Sequence, residues 1–294
     1  MPVYFKEVIV FNTIINNNHT STIDSNIHIR KGELEYIKFS NLEKYADIIE
    51  HCFTTRKGGV SSSEFATLNL GLKKKDKREN VIKNFTRICN ALNIDLSNAV
   101  LSDQVHGTNV KIVTEKDRGK GIFIDSDIIA CDGLITNAKN VALITFYADC
   151  VPVFLFDPEK RVIGLVHSGW KGTLKQISVN AVNAMVECFS CNPGNIISAI
   201  GPSIGMCCFE VGNEVKEQFI NKISWSINYC VYKDEEKTYI DLQGIVKQTL
   251  TDCGLKSKNI FISNICTKCN RNIFFSHRGD MGKTGSLAAI MQLK

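Results

Sequence analysis

The chain has 294 residues, enough to bury a substantial core as one large domain or two small ones. Its 44% hydrophobic and 22% charged residues are ordinary for a globular protein, and no apolar run approaches the roughly 20 residues that a bilayer span needs, so no membrane-spanning helix is expected. The net charge of +5 is a mild excess, and the lysines of Leu72-Lys73-Lys74-Lys75 read as a solvated face rather than a nucleic-acid groove.

In chain order, residues 1–12 mix Lys6 and Glu7 into apolar sequence without the design of a signal peptide, and the cytoplasm is the expected location. Residues 12–26 are rich in Asn, Ser and Thr and predict a turn-rich connection between short strands. From Arg78 to Leu92, Val81, Ile82, Phe85, Ile88, Cys89 and Leu92 recur at helical spacing. Residues 141–147, 151–156 and 161–167 are β-rich runs, and 173–189 return to the helical period. Asp241 predicts the N-cap of a helix through Leu250 that Gly254 ends, and 259–265 predict a strand. Hairpin-joined strands mixed with helical crossovers argue for an α+β fold, with mixed sheets flanked by helices in a single compact domain.

Twelve cysteines in a chain of this size without a signal read as reduced thiols. The pairs Cys188/Cys191 and Cys266/Cys269 lie much farther apart than the roughly 15–20 residues of a zinc ribbon. Cys188 also falls on an apolar helical stripe, so a structural zinc joining the two pairs is not expected.

The segment Asp157-Pro158-Glu159-Lys160 separates two apolar runs, as a hairpin turn does. If Asp157 pairs with Lys160, Cys150 faces His167 with Cβ atoms about 4.5–5.5 Å apart, which suits two ligands of one metal. Gln104-Val105-His106-Gly107 offers a third ligand from a loop. Taken singly, each histidine reads as a surface or core residue, and Cys150 as a small buried hydrophobe. Ser168-Gly169-Trp170-Lys171-Gly172 feeds the helix expected near Thr173 and suits an anion, although an ordinary strand-to-helix turn has the same form. Arg56, beside Gly58 and Gly59, is a further candidate for phosphate or carboxylate, or else a charge in a surface turn. Gly282-Lys283-Thr284 has the ending of a P-loop, but His277 stands where the first glycine belongs.

Around these residues the sequence resembles the laccase-like multicopper polyphenol oxidoreductase family, also called peptidoglycan editing factor, whose members are further described as zinc-dependent purine nucleoside phosphorylases with adenosine deaminase activity. The resemblance runs from about His51 to the end through "HCFTTRKGGVS", "TLNLG", "SDQVHG", "CDGLIT", "YADCVPVFLFDPEKRVIGLVHSGWKGT", "AIGPSIGMCCFEVG" and "FFSHRGDMGKTG". It implies residues 51–294 as catalytic core and 1–50 as a variable part of the same domain. It implies zinc on His106, Cys150 and His167, with Arg56 lining the same pocket. Two positions depart from the family: Lys171 stands where arginine is frequent, and Ser286 follows Thr284-Gly285 where arginine usually does. Lys171 keeps the charge but loses the bidentate geometry, and Ser286 leaves the C-terminal segment without the family's anion contact.

Three protein ligands leave a fourth position open, as in catalytic zinc sites. The expected function is phosphorolysis of adenosine, inosine, guanosine and methylthioadenosine, together with deamination of adenosine by water that zinc has acidified. Asp132 and Asp149 are candidate proton shuttles, and Asp149 could instead support a ligand. Arg56, Lys171 and the helix start near Gly172 are candidate phosphate contacts, and Tyr147, Trp170 or Phe209 could stack on the base. Purine nucleosides and phosphate are the expected partners, and no protein partner is inferable. A copper polyphenol oxidase would need another histidine cluster, for which His19, His28, His51 and His277 are too scattered. A cysteine hydrolase of peptidoglycan precursors would use Cys150 as nucleophile with His106 or His167 as base. A non-catalytic zinc module would fill the metal's fourth position with a protein ligand.

Overall fold

The protein is described here by a computed structural model covering the backbone of residues 7–10 and all of 25–232 and 237–294. Most of the connection expected at 12–26 lies outside these residues.

Two mixed sheets stack face to face. The first runs, edge to edge, Glu7–Val10, Asn26–Lys31, Leu34–Phe39, Ile49–Thr54, Leu287–Leu293, Ala142–Tyr147 and Ala99–Leu101. The second runs Ile260–Ile262, Ile197–Ile200, Val151–Asp157, Val162–Ser168, Gly133–Thr136 and Val110–Ile112. A small antiparallel sheet of Glu210–Val211, Thr238–Ile240 and Cys230–Tyr232 lies beside them.

The central strands Ile49–Thr54, Ala142–Tyr147, Val151–Asp157, Val162–Ser168 and Leu287–Leu293 are covered on each face, which explains their near-continuous apolar sequence. Along Val151–Asp157, Phe154 and Phe156 point into the core between the sheets, where Phe39, Phe53 and Leu143 meet them. The alternate residues Val153 and Leu155 pack outward on Ile177, Val182 and Ile245 of the helices. The outer face of the first sheet, with Cys52, Ile144 and Ile290, is covered by the helix Arg78–Leu92 through Val81, Phe85 and Ile88. The result is helix, sheet, sheet, helix in layers, the α+β architecture expected. Among the described residues no helix is long and apolar enough to cross a membrane.

Several boundaries differ from the periodicity. The hairpin is two residues out of the expected register: Asp157 pairs with Val162, and His167 faces Pro152 rather than Cys150. The cause is the turn, since Asp157 Oδ1 accepts the Glu159 and Lys160 amides and Arg161 takes a φ of 52°, giving a four-residue loop in place of Pro-Glu alone. A two-residue shift leaves the face of every side chain unchanged, because the strand period is two. The helix expected over 173–189 is broken: Trp170–Leu174 forms one short turn, and Ile177–Phe189 starts anew after Gln176 at a φ of 58°. Asp241 does cap its helix, accepting the Gly244 amide at 3.0 Å. The strand expected over 259–265 is only Ile260–Ile262, and Asn264 turns the chain away at a φ of 55°.

Candidate metal centre and cavity

The side chains of His106, Cys150 and His167 converge at one end of the second sheet. Each offers one ligand atom, and these atoms all lie within 4.8 Å of one another. His167 is the second-last residue of its strand and is buried. Cys150 immediately precedes Val151–Asp157, and His106 sits in a loop at a φ of 61°. Cys150 Sγ lies 3.7 Å from His106 Nε2. Tetrahedral zinc, with bonds of about 2.0–2.1 Å to nitrogen and 2.3 Å to sulfur, sets its ligand atoms about 3.3–3.8 Å apart, so modest closure would fit it.

Asp132 organises two of the three ligands. Its fully buried carboxylate hydrogen-bonds His167 Nδ1 at 2.8 Å, which turns Nε2 of that ring toward the cluster. The same carboxylate accepts the amides of Val105 at 3.1 Å, His106 at 2.9 Å and Gly107 at 2.8 Å, pinning the loop that carries His106. Burial would raise the pKa of Asp132, but the hydrogen bonds from His167, Gly107 and Val105 outweigh it and hold the group below its ordinary value. A carboxylate behind a ligating histidine fixes its tautomer and orientation.

The Cys150–His167 pair is polarised. Burial pushes the Cys150 thiol up, but the His167 charge and hydrogen bonding with both histidines bring it down to about 6 from 9.0. Burial lowers the pKa of His167, whereas Cys150 and Asp132 raise it further, to about 9 from 6.5. Left to themselves, the two groups favour a thiolate beside an imidazolium, and a thiolate is the form in which cysteine binds metal.

Gly169 makes the convergence possible. A Cβ at this position would stand 2.7 Å from His106 Cδ2 and 3.1 Å from Cys150 Sγ. Its φ of −68° suits alanine, so Gly169→Ala would be penalised by that crowding alone. The substitution is expected to weaken metal binding at the triad by about tenfold while the protein stays folded, the scale of a disturbed ligand shell. Competition with a chromogenic chelator measures this, and an unchanged affinity would show that the loop absorbs the methyl group.

The triad opens onto a cavity of about 830 Å³, within the range of small-molecule sites. Phe146, Tyr147, Trp170 and Phe209 line it, together with the cations Lys73, Lys74 and Arg278 and the side chain of His277. Lys73 pairs with Asp103. The Lys74 ammonium is partly buried, burial lowers its pKa, and no ion-pair partner faces it among the described residues. The lysine run read as a solvated face therefore contributes to the cavity wall.

Other candidates stand elsewhere. Arg56 is not among the residues walling the cavity: its guanidinium donates to Ala66 O and Arg271 O, both at 2.9 Å, and lies over Phe275. Lys171 is exposed over Trp170 and also lies outside the wall, and Gly172 is inside the short helix rather than before it. Asp149 does border the cavity, but Oδ1 accepts from the Thr267 hydroxyl at 2.6 Å and Oδ2 from the Arg278 amide at 2.7 Å. It ties the Cys150 segment to the loop beyond residue 265. Asp132 lies behind the ligands and outside the cavity wall. In the sequence Gly169 appears only as part of an anion-suited loop and Lys74 only within a solvated lysine run, not in these roles. Nothing local marks them, since one acts by lacking a side chain and the other by a long-range approach.

Comparison with known proteins gives the family and the fold. The family model described as multi-copper polyphenol oxidoreductase laccase matches residues 50–294. A Bacillus subtilis protein named purine nucleoside phosphorylase YlmD is 40% identical over 244 residues, 82% of this chain and 87% of that relative. The mouse protein named purine nucleoside phosphorylase LACC1 is 31% identical over 251 residues, 83% of this chain and 55% of that relative. Among solved structures, Bacillus licheniformis YfiH superposes with a TM-score of 0.84 at 33% identity, covering 90% of this chain and 98% of the other. YlmD from Geobacillus stearothermophilus superposes with a TM-score of 0.83 at 30% identity, covering 92% and 99%. With the motifs, the layered fold and most of its length all matching, the chain belongs to the multi-copper polyphenol oxidoreductase laccase family.

Proposed function

We propose that this chain is a zinc-dependent purine nucleoside phosphorylase acting on adenosine, inosine, guanosine and methylthioadenosine, with adenosine deaminase activity at the same centre. The observation that carries the proposal is a three-ligand His106–Cys150–His167 cluster at the wall of a cavity that is also lined by aromatic rings and cations. Relatives named purine nucleoside phosphorylase support the substrate class. In phosphorolysis a phosphate oxygen bonds to C1′ of the ribose as the C1′–N9 bond breaks. The electron pair leaves with the purine, which takes a proton.

When bound, zinc supplies Lewis acidity at the position the protein leaves open, able to polarise an oxygen or acidify water. The residues of the chain do the rest. Trp170 and Phe209 offer faces on which a purine can stack, whereas the ring of Tyr147 is buried against Phe53 and His167. We assign the phosphate to Lys74, with Arg278 beside it, whose guanidinium also donates to Glu210 O at 3.0 Å and lies over Phe209. Asp132 orients His167, and Asp149 fixes the backbone at Cys150. Asp132 and Asp149 are both engaged in this way, and we assign the proton transfer of deamination to His277, which also lines the cavity.

Incubation with inosine, with and without phosphate, tests the reaction class. Hypoxanthine and ribose 1-phosphate should appear only with phosphate, and adenosine should also yield inosine. Free ribose formed at the same rate without phosphate would make the enzyme a hydrolase. Lys74→Ala is expected to raise the KM for phosphate about 10–100-fold, the scale of losing a charge-assisted hydrogen bond, with metal content unchanged. Arg56→Ala should instead lower thermal stability, since Arg56 hydrogen-bonds two backbone carbonyls. A phosphate KM that responds to Arg56→Ala and not to Lys74→Ala would reassign the anion site.

One observation favours a second reading. Cys150, His167 and Asp132 form a thiol–imidazole–carboxylate chain, the arrangement of a cysteine hydrolase. Labelling of Cys150, argued in the Discussion, decides between them. The copper oxidase has less support. His51 is buried and accepts the Phe39 amide, His28 pairs with Glu35, and among the described residues neither joins the triad.

A further inference from the structure

A second cluster of metal-binding side chains lies outside the triad. Cys207, Cys208, Cys266 and Cys269 bring their four sulfurs within 4.8 Å of one another. Cys207 and Cys208 are adjacent in the turn after Gly205, and Cys266 and Cys269 belong to the Cys-Thr-Lys-Cys of the loop beyond Ile260–Ile262. Their proximity follows from the sheet. Ile197–Ile200 and Ile260–Ile262 pair in parallel, so the segments leaving their C-terminal ends run side by side. The Ser203 amide donates to Ile265 O and the Thr267 amide to Ser203 O, continuing that pairing up to the cysteines.

We infer that these four thiols form a structural zinc site, separate from the triad. Cys269 Sγ stands 3.5 Å from both Cys207 Sγ and Cys208 Sγ. Four sulfurs at about 2.3 Å from a tetrahedral zinc lie about 3.7 Å apart, so the side chains are already near the required spacing. Four thiolates exclude the hard cations and select zinc or iron, and with no open position the site is closed, as structural zinc sites are. The backbone is shaped for the approach: a Cβ on Gly205 would stand 3.1 Å from Cys266 Cβ and 3.3 Å from Cys207 Sγ.

The placement gives the site a task. Ile204 and Phe209, on either side of the Gly205–Cys208 turn, line the cavity. Thr267, inside the Cys266–Cys269 segment, holds Asp149 beside Cys150. A cation clasping the two loops would therefore fix one wall of the cavity. Cys188 and Cys191 lie outside the cluster, so the pairing of two Cys-x-x-Cys motifs that was unpromising in sequence is not what forms it. The adjacent Cys207-Cys208 takes that role.

The test is metal analysis of the purified full chain, comparing wild type with Cys207→Ser and Cys269→Ser. Both positions are exposed, so neither substitution removes a core side chain. Each variant is expected to lose one equivalent of zinc relative to wild type, whatever the triad holds, while His106→Ala leaves that equivalent in place. Protein loaded with Co(II) should show the intense visible absorption of a tetrahedral tetrathiolate, retained in His106→Ala and lost in Cys269→Ser. Iodoacetamide labelling of the wild type provides a measurement independent of the variants. Cys207 and Cys269 should label at least tenfold faster after chelation, despite being exposed before it. Zinc content unchanged by Cys269→Ser, iron in place of zinc, rapid labelling of the zinc-loaded protein, or a disulfide among the four in protein as purified would each overturn the site.

Discussion

Cys150→Ala is expected to lose the metal of the triad and to lower phosphorolysis by about 10³-fold or more, the scale of removing a group that polarises the reacting centre. A nucleophilic cysteine would give the same loss, so the discriminating measurement is labelling of the wild type. Zinc should protect Cys150 from alkylation, and chelation should expose it. With its thiol brought down to about 6 by His167 and His106, Cys150 in the chelated protein is mostly thiolate near neutral pH, unlike an ordinary thiol. A thiolate of lower basicity is less nucleophilic, with a Brønsted slope of about 0.4–0.5, which removes most of that advantage. The pH profile is therefore the sharper signature. Labelling of Cys150 should rise with pH through about 6 and then level off, whereas an ordinary thiol goes on rising toward 9. Fast labelling in the fully zinc-loaded enzyme, or a trapped covalent intermediate, would promote the cysteine hydrolase.

Much of this was legible in the sequence, for reasons that differ by residue. The helix Arg78–Leu92 was legible from its apolar stripe because those residues cover one sheet face and little else. The fully covered strands announced themselves as apolar runs, but such runs carry no alternation and so no register. The hairpin shows the consequence. Asp157 builds a four-residue turn through its own carboxylate, the register moves by two, and Cys150 and His167 still meet only because an even shift keeps each side chain on its face. The triad could be assembled from motifs because His106, Cys150 and His167 each sit in a distinctive local string. The proposed anion contacts are not legible in this way, because a cation's role depends on what its fork or ammonium reaches. Arg56 reaches two backbone carbonyls, whereas Lys74 emerges from an unremarkable lysine run to face the cavity. The four-cysteine cluster was hidden for the same reason. Its halves are brought together by the parallel pairing of Ile197–Ile200 with Ile260–Ile262, and that pairing has no signature in the spacing of the cysteines.

The other large effect is expected at a residue that does not line the cavity. Asp132→Ala should weaken metal binding by about 10–100-fold, the range for losing the partner of a ligating histidine. It should also cost about 3–5 kcal/mol of stability, because the group removed is a buried charge with several partners. Four donors depend on that carboxylate: His167 Nδ1 and the amides of Val105, His106 and Gly107. The Asp132→Asn variant separates charge from shape. One amide oxygen can still accept, but the NH₂ group would face backbone N–H donors, so Asn should recover packing without recovering the loop or the His167 tautomer. Acid sensitivity supplies the sign. The pKa of Asp132 is depressed in the folded protein, so its contribution is complete above its unfolded value near 3.8 and is lost as pH falls through the lower folded value. Wild type should therefore lose stability relative to Asp132→Ala as the solution is acidified below about pH 4, and the gap between them should close. Thermal melts across that range, paired with chelator competition at neutral pH, measure both effects. If Asp132→Ala kept wild-type zinc affinity while losing stability, the carboxylate would be holding the 105–107 loop for the fold alone, and His167 would have to be oriented by something else. If it lost affinity with no change in stability, the three amides would have found other acceptors and the orientation of His167 would be the whole of its role.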